Sequence, residues 1–90
     1  MEGDFLESLD PEKTFFIDTE EGSFIFHLIK GSFYTRRTTS KEQKYCLVTK
    51  INGDKKYKEK DLDLGIHFDY VHPRLEKEVT VGPVRAIALR

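Results

Sequence analysis

From Thr14 onward the apolar residues recur at every second position over most of the chain, and this spacing restricts it to β-structure. The clearest stretch is Ser23 to Lys30 (SFIFHLIK), which puts Phe24, Phe26 and Leu28 on one face and Ile25, His27 and Ile29 on the other. Both faces are mostly apolar, as in a strand at the centre of a fold or at an interface between chains. No segment past residue 10 keeps helical spacing for more than one turn.

The turn residues divide the alternating pattern into strands. Thr14 to Asp18 is a first strand, closed by Glu20-Glu21-Gly22. Gly31-Ser32 predicts a type II′ hairpin into Phe33 to Arg37, because glycine suits its first central position. Residues 38–43 are polar and read as a loop, and Tyr45 to Ile51 is the next strand. Asn52-Gly53 tolerates the positive φ of a type I′ turn and predicts a return strand from Lys55. Leu62 to Tyr70 alternates with Leu62, Leu64, Ile66, Phe68 and Tyr70 on one face, a half-buried antiparallel strand. Pro73 ends it, Glu78 to Val81 follows, and Gly82-Pro83 leads into a last strand, Val84 to Leu89. A helical turn over residues 3–10 is stopped at Asp10-Pro11. Seven or eight short strands joined by hairpins make a sandwich, a jelly roll or a closed barrel.

At 90 residues the chain, 1–90, is one domain, and at 38% hydrophobic it is poor in apolar material for its size. Self-association gives such a domain more apolar burial per chain. The single cysteine, Cys46, forms no bridge within the chain, which points to a reducing compartment, nuclear or cytoplasmic. Residues 1–10 lack the basic and apolar pattern of a signal peptide, and no apolar run approaches the roughly 20 residues of a membrane-spanning helix. A membrane role is therefore not expected.

The net charge of -1 hides a strong division. Residues 1–29 hold eight acids against Lys13, a net of -7, whereas residues 30–60 hold ten bases against three acids, a net of +7. Separate acidic and basic surfaces follow, suited to self-complementary packing or to two kinds of partner.

Catalytic chemistry finds little support. His67 and Asp69 share a strand face and form a ligand pair, but His27 and His72 do not stand at spacings that complete a closed metal site of about four ligands. Cys46 lies inside the apolar run YCLV, where a packed thiol is the simpler reading than a nucleophile. There is no glycine-rich phosphate loop and no implied cofactor, so the chain reads as a non-enzyme. The basic segment, in contrast, interleaves Tyr34, Tyr45 and Tyr57 with Arg36, Arg37, Lys55, Lys56, Lys58 and Lys60. Rings that stack on bases beside cations that neutralise phosphates are the pattern of a single-stranded nucleic-acid surface. The same lysines also suit a solvated edge that resists aggregation.

Several segments, taken in order, resemble the core domain of the nucleoplasmin and nucleoplasmin-like family of histone chaperones. Phe5 to Asp18 (FLESLDPEKTFFID) resembles its first segment, and Glu21-Gly22 with Phe26-His27-Leu28 its second strand. Cys46 to Gly53 (CLVTKING) and Ile66 to Tyr70 (IHFDY) resemble the strand and turn that precede its long alternating strand, and that strand itself. Val81 to Val84 (VGPV), with Ala86 and Leu89, resembles the closing hairpin. The resemblance implies an eight-stranded jelly-roll sandwich that assembles into a ring-shaped homopentamer and binds histones. It points to Ile25, Ile29, Phe68, Tyr70, Val79 and Val81 as candidates for the interface between copies. Without a long acidic tract, Asp18, Glu20 and Glu21 are the candidates for histone contact. Two function classes are therefore carried forward: a self-assembling chromatin-associated module, and a monomeric barrel that binds nucleic acid through Arg36, Arg37 and Lys55 to Lys60.

Overall fold

The computed structural model describes residues 10–41 and 44–90. The helical turn expected over residues 3–10 and the resemblance at Phe5 lie outside the described residues, Asp10 apart.

Seven antiparallel strands form a single curled sheet: β1 (Lys13–Thr19), β2 (Gly22–Ile29), β3 (Ser32–Arg37), β4 (Cys46–Ile51), β5 (Phe68–His72), β6 (Lys77–Val81) and β7 (Val84–Leu89). The all-β class read from the alternation holds. Their order across the sheet is β6-β5-β4-β3-β2-β1-β7, so each of the first six strands pairs with its neighbour in sequence. That is the order of a meander. The described residues hold seven strands, where the resemblance implies eight.

The curl follows from connectivity. β6 and β7 lie at opposite edges of the sheet, yet only Gly82 and Pro83 separate them in the chain. A flat seven-stranded sheet would place its edges about 28 Å apart, at 4.7 to 4.9 Å per strand, far beyond the reach of two residues. The sheet therefore bends until its edges meet at this corner. There the Gly65 N–H donates to the Val84 carbonyl at 2.7 Å and the Val84 N–H donates to the Ile66 carbonyl at 2.9 Å. The backbone at Gly82 is packed so closely that a Cβ would stand 2.8 Å from the Ile66 carbonyl oxygen and 2.9 Å from the His67 Cα.

One face of the alternation fills the interior. Phe24, Phe26, Phe33 and Phe68 are fully buried with Ile17, Val48 and Val84. The rings meet edge to face, Phe26 on Phe68 at 4.8 Å between centroids and Phe24 on Phe68 at 5.3 Å. This arrangement favours aromatic contacts beyond their buried area alone.

The β3–β4 ladder is short, with the pairs Tyr34–Leu47 and Thr35–Cys46. Beyond it Tyr57 spans the two strands, its hydroxyl accepting from the Phe33 N–H at 3.0 Å and donating to the Val48 carbonyl at 2.7 Å. Backbone groups that the splayed ladder leaves open are satisfied by a side chain from the following loop.

Three local expectations are corrected. The turn between β2 and β3 is centred on Lys30 and Gly31, with φ of 50° and 79°, so it is a type I′ turn one residue earlier than Gly31-Ser32. Asn52 and Gly53 form the expected type I′ turn, but after the single bridge Ile51–Asp54 the chain leaves the sheet and residues 59–61 make a 3-10 turn. The nine-residue strand over Leu62 to Tyr70 is shortened to Phe68–His72, because Asp63 Oδ1 accepts from the Leu64 N–H at 2.7 Å and Gly65 turns at φ 83°. β5, and not a strand from Lys55, pairs with β4.

Candidate nucleic-acid interface

The outward residues of β2, β3 and β4 come together where the sequence interleaves rings and cations. Register places Thr14, His27, Tyr34 and Leu47 in one cross-strand row, and Ala88, Phe16, Ile25 and Arg36 in the next. Tyr45, just ahead of β4, stacks on His27 with ring centroids 4.3 Å apart and planes 22° apart. The guanidinium of Arg36 lies 5.3 Å from the centre of the same Tyr45 ring. A guanidinium held near a ring in this way is attracted by the ring's quadrupole and is oriented before any ligand arrives. Burial, followed by the positive charge of Arg36, pulls the His27 imidazole below its ordinary range, so the ring is uncharged at neutral pH.

Arg36 also borders a cavity of about 310 Å³ beside this patch. Five cationic side chains line it, Arg36, Arg37, Lys41, Lys44 and Arg74, and no carboxylate does among the described residues. They come from β3, the connection that follows it, and the turn after β5. Thr35, fully buried, and Tyr70, 4% exposed, also line it. Two buried polar atoms of β3, Thr35 Oγ1 and Arg36 Nε, have no hydrogen-bond partner among the described residues. Such groups are costly unless something satisfies them. His72 also lines the cavity, and its Nδ1 accepts from the Arg74 and Leu75 N–H groups at 3.2 and 3.3 Å. With Nδ1 an acceptor, the neutral ring carries its proton on Nε2.

Arg37 holds the rim of this cavity in place. Its Nη1 donates to the Glu21 carbonyl at 2.6 Å, and its guanidinium lies 4.7 Å from the centre of the Phe24 ring. Gly22, at φ 121°, leaves room for it, since a Cβ there would come within 2.8 Å of Arg37 Nη1.

The basic candidates divide into two groups. Arg36 and Arg37 share the cavity, whereas Lys55, Lys56, Lys58 and Lys60 are exposed on the segment after β4. Of these, Lys55 lines a second groove with Leu47, Thr49 and Tyr57. Tyr45, Leu47 and Thr49 alternate along one side of β4, so the cationic cavity and Lys55 flank the outer surface of that strand. The Tyr57 ring is turned inward, stacked on Phe33 at 5.7 Å, and burial raises its pKa. Lys41, Lys44, Thr35, His72 and Arg74 do not stand out in the sequence. The two lysines fall within the basic segment, but nothing in the spacing joins Arg74 to them.

The candidates for an interface between copies are mostly interior residues of the single chain. Ile29, Phe68, Tyr70 and Val81 are between 0 and 7% exposed, while Ile25 and Val79 are half-buried. The acidic candidates cluster at the β1–β2 turn and are engaged locally. Asp18 accepts from the Ser23 hydroxyl, Glu20 pairs with Arg85, and Glu21 Oε2 accepts from the Gly82 N–H at 3.2 Å.

His67 is exposed and Asp69 half-buried, and among the described residues no three His, Cys, Asp or Glu side chains converge as metal ligands. Cys46 is half-buried and lines the cationic cavity. No helix among the described residues is long and apolar enough to cross a membrane. Compared with known proteins, the chain matches no family model, no curated protein and no solved structure.

Proposed function

We propose that the domain binds single-stranded nucleic acid along the outer face of β2, β3 and β4. The observation that carries this reading is the position of Arg36, which lines the cationic cavity and lies against the Tyr45 ring at once. Groups for phosphate and for base are thereby joined in one patch. Bases stack on Tyr45 and Tyr34, and Lys55 extends the positive surface beyond Leu47.

Fluorescence anisotropy with a labelled oligonucleotide tests the reading. Affinity falls steeply with salt, and the slope of log K against log salt shrinks by about 0.7 for each phosphate that Arg36→Ala or Lys44→Ala no longer neutralises. Tyr45→Ala costs about 1 to 3 kcal/mol of binding with little change in slope. Binding that is absent, or indifferent to salt, rejects the proposal.

A second reading follows from the β7 edge. Phe16 is 38% exposed and lies opposite the exposed Ala88, with the exposed Ala86 next along the same outward face, and β7 has a ladder partner only in β1. This apolar row supports self-association, and with it the nucleoplasmin-like resemblance: a jelly-roll homopentamer acting as a histone chaperone in chromatin. The interface in that case is the β7 edge and not the residues buried in the core. Native mass separates the readings, one copy of 10.5 kDa against five.

A further inference from the structure

We infer that Phe16 is a second base-stacking platform, so that a bound strand crosses from Tyr45 over β2 onto β1. The inference rests on the nucleic-acid reading above and deepens it, because it assigns a residue on β1 and with it the course of the strand. Register puts Phe16 on the same outward face as the stack already described: Phe16 lies opposite Ile25, and Ile25 lies opposite Arg36. His27, which stacks on Tyr45, is two residues along β2 from Ile25 and is therefore the diagonal neighbour of Phe16. Diagonal neighbours stand about 7 to 8 Å apart. Two nucleotide steps of about 3.4 Å cover that span, so one strand reaches both rings with a base on each.

The surroundings of Phe16 repeat those of Tyr45. Its ring is 38% exposed, although phenylalanine is among the residues most often fully buried. The Arg90 guanidinium lies 5.6 Å from the ring centre, as that of Arg36 lies 5.3 Å from the centre of Tyr45. Each ring thus has beside it a cation that can meet a phosphate. Ala88 across the ladder and Ala86 beyond it are too short to cover the ring, and a groove of about 430 Å³ runs beside it. Two cross-strand rows hold these rings: Ala88, Phe16, Ile25 and Arg36 in one, Thr14, His27, Tyr34 and Leu47 in the other. Neither contains a carboxylate. Asp18, in the next row and on the wall of the groove, accepts from the Ser23 hydroxyl. Rings flanked by cations in rows without an acid suit a polyanion, whereas a second copy of the chain would bring the same cations against them.

The chain has no tryptophan, so Phe16→Trp places a reporter at the platform. Its fluorescence is quenched when a single-stranded decamer binds, while that of Leu64→Trp, at an exposed position outside both rows, is unchanged. By anisotropy, Phe16→Ala binds the decamer at least about fivefold more weakly with the salt slope unaltered. Phe16→Leu, which keeps an apolar side chain but has no π face, is weakened likewise. Arg90→Gln lowers the slope by about 0.7, one phosphate, and an unaltered slope would overturn the part given to Arg90. Wild-type affinity in Phe16→Ala, or a Phe16→Trp variant that binds without quenching, overturns the inference and leaves strand binding at Tyr45 in place. A fall in native mass on Phe16→Ala also overturns it, because the ring is then a contact between copies. A wild type that binds no decamer removes both readings.

Discussion

Tyr57 donates to the Val48 carbonyl at 2.7 Å and thereby ties a loop side chain to the strand on which the splayed side of the sheet depends. The same hydroxyl accepts from Phe33, so two backbone groups rely on one oxygen. Tyr57→Phe keeps the ring on Phe33 but leaves both groups without that partner, at a cost of about 1 to 3 kcal/mol. Urea unfolding measures it, and a loss below about 0.5 kcal/mol would show that the bridge contributes little. Burial holds the phenol pKa above its ordinary 10.0. The resulting stability is present below the unfolded value and is lost as pH rises through the folded one, so wild-type stability declines in strong alkali more than that of Tyr57→Phe.

Gly82 and Gly53 both have positive φ, 144° and 78°, but only Gly82 is crowded by backbone. Gly53→Ala forces a left-handed residue and nothing else, at about 1 to 2 kcal/mol. Gly82→Ala adds a clash with the Ile66 carbonyl and the His67 Cα, and costs more than about 3 kcal/mol. Thermal melts of the two variants rank them, and equal losses would mean that the corner yields freely.

His27 titrates below its ordinary 6.5 because burial and Arg36 disfavour its charged form. The unfolded chain therefore takes up the proton first on acidification. Stability is complete above the unfolded value and is lost as pH falls through the lowered one. Melting temperature followed from pH 7.5 to pH 5 drops more for the wild type than for His27→Phe, which keeps a ring on Tyr45 and removes the titration. Parallel curves would contradict this account.

The aromatic cluster carries the core. Phe68→Ala opens a cavity beside Phe24, Phe26 and Tyr70 and costs about 3 to 5 kcal/mol, a large share of the stability of a small domain. Denaturant titration decides it, and a loss under about 1 kcal/mol would mean that the neighbouring rings collapse into the space.

The strands β1 to β4, β6 and β7 are legible in the sequence within a residue or two of their bounds. Their inward faces are set by local periodicity and their turns by glycine and asparagine. Leu62 to Tyr70 misleads because alternation is also satisfied by a chain that places Ile66, Phe68 and Tyr70 inward while Asp63 and Gly65 turn the preceding segment. The curled meander is hidden because Gly82-Pro83 resembles any turn, and only the pairing of β7 with β1 shows that it joins two edges of one sheet. At the site, Arg36 and the tyrosines are readable from the interleaving of rings and cations. Thr35, His72 and Arg74 reach the cavity through tertiary structure, about which local spacing is silent.

The pairing of β1 with β7 also brings the start of one strand beside the finish of the other: Phe15 lies opposite Leu89, and the Arg90 N–H donates to the Thr14 carbonyl at 2.9 Å. Polypeptide entering at Lys13 and polypeptide departing at Arg90 thus share one doorway. Such a module can be grafted into a surface loop of a host without prising the host's strands apart, and it can be circularly permuted with a short linker.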